Sequence, residues 1–273
     1  MVAANQARGF DADVVRTIQG RLDAILRDDR VAIPFAVESG SRAWGFPSPD
    51  SDYDCRFVFV RARDDYLTPW PRRDVIETPL DALLDVNGWE LGKFVKLMLK
   101  GNAVAIEWLQ SPIRYRDDED FRAALLDLAD RYAARDAIRR HYLHLGEGQW
   151  RRFSGETAPG KKLFYVLRPA AALRWLRLHA DARVAPMDFP TLLAQAEPPA
   201  DLTETVARLI KAKATTRELG TIETPAPVRA FVEAEFAEAR RSLEDAPPTR
   251  LSSTAKAAAE ATFRALLSRY APA

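Results

Sequence analysis

The chain has 273 residues, 47% of them hydrophobic and 29% charged, which fits one large globular domain or two modest ones. Forty Lys and Arg against 39 Asp and Glu leave a net charge of +1, so overall charge selects no class of partner. The single cysteine, Cys55, excludes an intrachain disulfide and a multi-thiolate metal site, and a reducing compartment fits.

Met1–Phe10 lacks the apolar core of a secretory signal, and no stretch reaches the roughly 18 to 20 apolar residues that span a bilayer. The expectation is a cytoplasmic protein with no membrane partner. From Asp11 to Asp28, Val14, Val15, Ile18, Leu22, Ile25 and Leu26 form one stripe at helical spacing, with Asp11 placed to cap it. Val31–Glu38 has the length and apolarity of a buried strand, and Pro34 predicts that regular pairing starts at or after it. Gly40–Ser51 is rich in turn residues, and Asp52–Val60 is a second strand. Pro69, Pro71 and Pro79 mark a loop between Arg61 and Pro79. Leu83–Val86 reads as a short strand, Gly88–Leu109 as a helix, and Pro112–Tyr115 as the exit from a first unit.

Beyond Asp117 strand signals vanish. Helical patterns run over 121–132, 137–153, 161–179, 201–213 and 228–243. After a linker at Pro247 and Pro248, a last helix runs from a cap at Ser252 or Ser253 to about Tyr270. The predicted fold class is therefore α+β over residues 1–116, followed by an all-helical domain over 117–273, joined near 112–120.

The chemistry concentrates in Gly40–Asp54. Residues two apart on a strand project to the same face, so Asp52 and Asp54 point one way and Tyr53 and Cys55 the other. Two carboxylates held about 7 Å apart along a strand repel unless a cation joins them, and Mg²⁺ prefers such hard oxygens. Taken alone, this is an acidic turn leading into a strand. A calcium loop starting at Asp50 fails, because Cys55 stands where Gly belongs and Arg61 where Glu belongs. Gly40-Ser41, directly after the first strand, raises the reading: glycine lets backbone N–H groups approach an anion, and the Ser41 hydroxyl can donate to phosphate. Arg42, in the same turn, joins them as a nucleotide-binding candidate. Arg56 shares the face of the two acids and reads first as their structural partner.

Val37-Glu-Ser-Gly-Ser-Arg-Ala-Trp-Gly45 and Ser51-Asp-Tyr-Asp-Cys-Arg56 resemble the Gly-Ser and Asp-x-Asp signature of the DNA-polymerase-beta nucleotidyltransferase superfamily. Asp85-Val-Asn-Gly-Trp-Glu-Leu91, Lys100-Gly-Asn-Ala103, Glu107-Trp-Leu109, Ser111-Pro-Ile-Arg-Tyr115 and Lys161-Lys-Leu-Phe-Tyr-Val-Leu-Arg-Pro169 resemble one branch of it, the RlaP-type nucleotidyltransferases associated with RNA repair. The resemblance covers about residues 35–190; it departs at Ala103, where the branch has Pro. It implies a small mixed β-sheet with flanking helices and a helical domain closing over the nucleotide.

The resemblance also implies a third carboxylate on a later strand. Asp85 matches best, with Glu90, Asp81 and Glu77 as rivals and a turn or capping role as the alternative for Asp85 itself. Asp52, Asp54 and the third acid would hold two Mg²⁺ ions, while Gly40 and Ser41 hold the β- and γ-phosphates of a nucleoside triphosphate. The implied reaction moves a nucleoside monophosphate to an acceptor hydroxyl: an RNA end, a small molecule or a protein side chain. The competing readings are a catalytically silent nucleotide-binding module and an RNA-binding module whose sheet is only a scaffold.

Gly155–Lys162 nearly spells a phosphate-binding Walker loop but ends in Lys162 where Ser or Thr is needed, and no strand precedes it. Between Arg139 and Arg183 ten Lys or Arg meet three Asp or Glu, a net of +7 against −6 for the rest of the chain. That asymmetry suits a triphosphate or a nucleic-acid backbone, or else a solvated helix face. Lys161, Lys162 and Arg168 are its phosphate-contact candidates, the lysine pair because the resemblance puts it at the start of a helix facing the cleft. His141, His144 and His179 read as packing or surface residues, and Cys55 as a small buried apolar one.

Overall fold

In the computed structural model, which describes residues 10–79, 83–153, 157–216, 220–247 and 250–273, helix α1 (Ala12–Asp28) begins where expected. The Asp11 carboxylate accepts the N–H of Asp13 at 2.7 Å, and Ile18, Leu22 and Ile25 are buried. Strand β1 (Ala32–Ser39) follows, with a register shift between Ala32 and Phe35, where Pro34 has no N–H to give the ladder. A single helical turn, α2 (Gly40–Ala43), leads round to β2 (Tyr53–Val60). The 61–79 segment holds a 3₁₀ turn at Arg63–Tyr66 and a short edge strand, β3 (Val75–Glu77).

Strand β4 (Leu84–Glu90) runs four residues past the short strand expected at 83–86. The helix expected over 88–109 therefore starts later and is divided in two, α3 (Leu91–Leu99) and α4 (Ala103–Gln110). Glu90 ends the strand because its carboxylate caps α3, accepting from Gly92 N at 2.7 Å and Lys93 N at 3.1 Å. Gly101 makes the break: at φ +82 it sits in the left-handed region that a continuous helix cannot use. Strand β5 (Arg114–Asp117) completes the sheet.

The sheet order is β3-β4-β2-β1-β5, with β2 and β4 parallel and the other pairs antiparallel, so the sheet is mixed. Alternation splits its residues between two cores. Ala36, Tyr53, Cys55, Phe57 and Phe59 face α1, whereas Phe35, Val37, Val58 and Val60 face the helices that follow. Asp54 and Arg56 share the parity of Val58 and so lie on the helix-covered face.

The C-terminal part comprises α5 (Glu119–Tyr132), α6 (Arg135–Phe153), α7 (Gly160–Leu178), α8 (Phe189–Gln195), α9 (Ala200–Thr215), α10 (Ala226–Glu244) and α11 (Ser253–Tyr270). It is helical as expected, except for one small antiparallel pair, β6 (Thr157–Pro159) with β7 (Thr221–Glu223), too short for a periodic signal. Ser252 caps α11, accepting from Ala255 N at 3.0 Å. Helix α7 is central: Leu163, Phe164, Val166, Leu167 and Leu176 are all buried in a core continuous with the sheet. Among the described residues no helix is long and apolar enough to cross a membrane.

Candidate active site

The turn between β1 and β2 is clamped to the helices. Phe46 stacks on Phe164 of α7, ring centroids 4.5 Å apart, and meets Phe189 of α8 edge-on at 5.7 Å. The carbonyl of Trp44 accepts the N–H of Phe189 at 2.9 Å. Three serines tie the turn internally: Ser41 Oγ donates to Ser51 Oγ at 2.9 Å, and Ser51 Oγ also accepts from Ser48 N at 2.9 Å. Buried aromatics thus hold the Gly-Ser bend in place from one side while hydroxyls remain on the other.

Between that bend and the first turn of α7 lies a cleft of about 370 Å³. Asp50, Asp52 and Asp54 line it from the sheet side, with Ser41, Ser48 and Ser51 of the turn; Lys161, Lys162, Tyr165 and Lys213 line it from the helices. Asp52 and Asp54 therefore open into one space, next to the Gly-Ser bend. Gly40 has φ +65, and a Cβ built there would overlap Oδ2 of Asp54 and lie 3.0 Å from its Cγ. Only glycine lets the turn come this close to the acid.

Asp54 pairs with Ser39 on one side and with Asp85 of β4 on the other. Arg56 bridges the two acids: Nη2 donates to Asp54 Oδ1 at 3.1 Å and to Asp85 Oδ2 at 2.6 Å, and Nη1 to the Asp85 carbonyl at 2.8 Å. Burial, first, and then the charges of Asp85 and Asp52 push the Asp54 carboxyl up, with Arg56 opposing. On the opposite face, the fully buried Glu38 accepts from Asp54 N at 2.9 Å and from the Tyr115 hydroxyl. Burial raises its carboxyl to about 8, outweighing those two hydrogen bonds, which favour the charged form.

Lys161 and Lys162 both face the cleft from the start of α7, and Lys162 Nζ sits 4.9 Å over the Tyr165 ring. Arg42 turns away from it: the guanidinium donates to the carbonyls of Ser51 at 2.7 Å and Asp52 at 3.1 Å and lies 3.8 Å over the Tyr53 ring. It braces the main chain of the acidic segment. Arg168 is buried, paired with Glu107 at 2.5 Å and 4.2 Å over the Trp44 ring. Asp85 stands beside Asp54 but does not line the cleft. Its rivals have other partners: Glu90 caps α3 and accepts from the Tyr66 hydroxyl at 2.8 Å, and Glu77 pairs with Arg73. Asp81 lies outside the described residues, as does part of the Walker-like segment.

The +7 stretch does not form one open basic face. Arg140 donates to the Ala246 carbonyl at 2.5 Å, and Arg174 and Arg177 both pair with Glu235, at 2.9 and 3.0 Å. Lys161 and Lys162 have no ion-pair partner among the described residues. Sequence reasoning missed Tyr165, Lys213 and the serines Ser48 and Ser51. For Lys213 a signal existed: it falls on the apolar stripe of α9 after Leu202, Val206 and Leu209.

The donor set suits a magnesium ion: Asp52 and Asp54 offer hard oxygens in one cleft, and burial, with repulsion from Asp85 and Asp52, disfavours the charged Asp54 carboxylate, which a divalent cation would stabilise. Among the described residues no three His, Cys, Asp or Glu side chains are already gathered as a metal cage.

The family described as "RlaP: RNA repair pathway DNA polymerase beta family" matches residues 14–264 of the chain. A protein of Bacillus subtilis (strain 168), named "Uncharacterized protein YcgL", is 37% identical over 207 residues, which make up 76% of this chain and 79% of that protein.

Proposed function

This chain belongs to the RlaP family, the RNA repair pathway DNA polymerase beta family, and from that premise we propose that it transfers a nucleoside monophosphate from a nucleoside triphosphate to an acceptor hydroxyl. The observation that carries the proposal is the shared cleft, which Asp52 and Asp54, beside the Gly40-Ser41 bend, line together with Lys161 and Lys162. Carboxylates on one wall and ammonium groups on the other suit a magnesium-bound polyphosphate, with metal oxygens on one side and phosphate charge on the other.

In this reading Asp52 and Asp54 hold the metal, and Asp85, kept beside Asp54 by Arg56, is the third carboxylate. Two Mg²⁺ ions, when bound, lower the pKa of the acceptor hydroxyl and neutralise charge on the pyrophosphate. Gly40 and Ser41 receive the β- and γ-phosphates, and Lys161 and Lys162 balance their charge. The acceptor oxygen bonds to the α-phosphorus, the bond from that phosphorus to the bridging oxygen breaks, pyrophosphate leaves, and the hydroxyl proton is released to water. No side-chain nucleophile takes part; catalysis is positioning and electrostatics. The sheet unit over 1–116 supplies the acids and the helical unit over 117–273 the cations.

An RNA end is the acceptor we favour, on the family's association with RNA repair, and the cytoplasm is the matching compartment. Arg42 and Arg168 serve the nucleotide indirectly, by bracing the acidic segment and the turn. One observation supports the competing reading of a silent nucleotide-binding module: Asp85 is committed to Arg56. The test is incubation with each labelled nucleoside triphosphate, Mg²⁺ and a panel of RNA ends and small hydroxyl acceptors. Label on an acceptor with pyrophosphate release supports transfer; nucleotide binding without release from any triphosphate supports the silent module.

A further inference from the structure

Lys213, near the end of α9, is only 6% exposed yet lines the same cleft as Asp52 and Asp54. Its ammonium donates one hydrogen bond, to the Phe46 carbonyl at 2.5 Å, and lies 5.0 Å over the Phe46 ring and 6.0 Å over that of Phe164. Among the described residues it has no ion-pair partner. An ammonium carries three donors, and here one is used. The rings cover its apolar side, and the open side is the cleft.

A buried cation with one neutral acceptor is costly unless an anion joins it. Among the described residues, the charges that face Lys213 supply no bonded counter-ion: Asp50 attracts it from the loop before β2, while Lys161 of α7 and Arg42 of α2 repel it. Burial, with those two cations, pushes the ammonium down to about 8. Three lysines from two helices thus converge on one cleft, a spread of positive charge that suits a chain of phosphates better than a single one.

We propose that Lys213 is a polyphosphate-binding residue whose two unused N–H donors take phosphate oxygens of a nucleoside triphosphate, opposite Asp52 and Asp54 and beside Lys161 and Lys162. The proposal rests on the nucleotidyltransferase reading and adds a contact from α9 to it. The opposing account makes Lys213 a strut that ties α9 to the turn through the Phe46 carbonyl.

Lys213→Gln separates the two, because the amide can still donate to that carbonyl but carries no charge. Binding of inorganic tripolyphosphate is measured by calorimetry for the wild type, Lys213→Gln and Lys213→Arg, alongside melting temperature. The expected result is at least ten-fold weaker binding in Lys213→Gln, an affinity closer to wild type in Lys213→Arg, and a melting temperature in Lys213→Gln equal to or above wild type. Unchanged affinity in Lys213→Gln overturns the proposal. If that variant does not fold, an unchanged affinity in Lys213→Met, or a wild type that binds no tripolyphosphate, does the same. Binding that depends on Lys213 in a protein that transfers no nucleotide keeps this site and removes the enzymatic reading. Transfer by the wild type with unaltered affinity in Lys213→Gln does the reverse.

Discussion

Gly40 and Asp54 are packed so closely that the smallest side chain added to the first would occupy the space of the second's carboxylate. The two residues are fourteen apart in sequence and meet because β1 and β2 pair with Ser39 opposite Asp54. The Gly-Ser bend and the acidic strand are thus one structural unit, and the proposed chemistry depends on their contact.

Gly40→Ala tests that contact. The substitution meets both the left-handed backbone at φ +65 and the Asp54 carboxylate. A cost of about 1 to 3 kcal/mol in stability is expected from the strained backbone, read as a lower melting temperature. Displacing Asp54 by about 1 Å should lower kcat/KM roughly 100-fold. A variant with wild-type turnover would show that the close approach is unimportant.

Asp85→Asn addresses the third carboxylate. Asp85 is the parallel-strand neighbour of Asp54 and shares Arg56 with it. As a ligand it should matter about as much as Asp54, with kcat reduced on the order of 100-fold or more. A loss smaller than about ten-fold makes Asp85 only the counter-ion of Arg56, and the melting temperature then reports its whole role.

Glu38 predicts a pH dependence of stability. Burial raises its carboxyl from the ordinary 4.5 to about 8 in the folded protein. Between those values the folded state keeps a proton that the unfolded state has lost. The contribution to stability is complete below pH 4.5, falls as pH rises, and is gone above about 8. The slope in that window is at most about 1.4 kcal/mol per pH unit. Glu38→Gln, which mimics the protonated acid, should flatten this slope in denaturant unfolding measured from pH 5 to 8. Parallel pH profiles for variant and wild type would contradict the assignment.

Much of this site was legible because it is local. The alternation of Tyr53–Val60 fixes where Asp54 points, and the glycine-serine bend is eleven to fourteen residues from Asp52 and Asp54. What could not be read is direction. Arg42 and Arg168 carry the charge expected of phosphate contacts, but the aromatic rings of Tyr53 and Trp44 and the acceptors beside them draw both inward. Lys213 reaches Phe46 across 167 residues, a contact no local pattern encodes. The end of β4 and the break at Gly101 depend on a cap and a backbone angle, which is why one apolar run reads as one helix.

The most direct measurement is magnesium-dependent pyrophosphate release, followed for the wild type and Asp54→Asn with the labelled triphosphate and acceptor that the wild type uses. The account predicts steady release by the wild type and a loss of roughly 100-fold or more in the variant, with the melting temperature at or above that of the wild type, since the substitution removes a partly buried charge that repels Asp52 and Asp85. Equal release by the two proteins, or release that persists without magnesium, would contradict it.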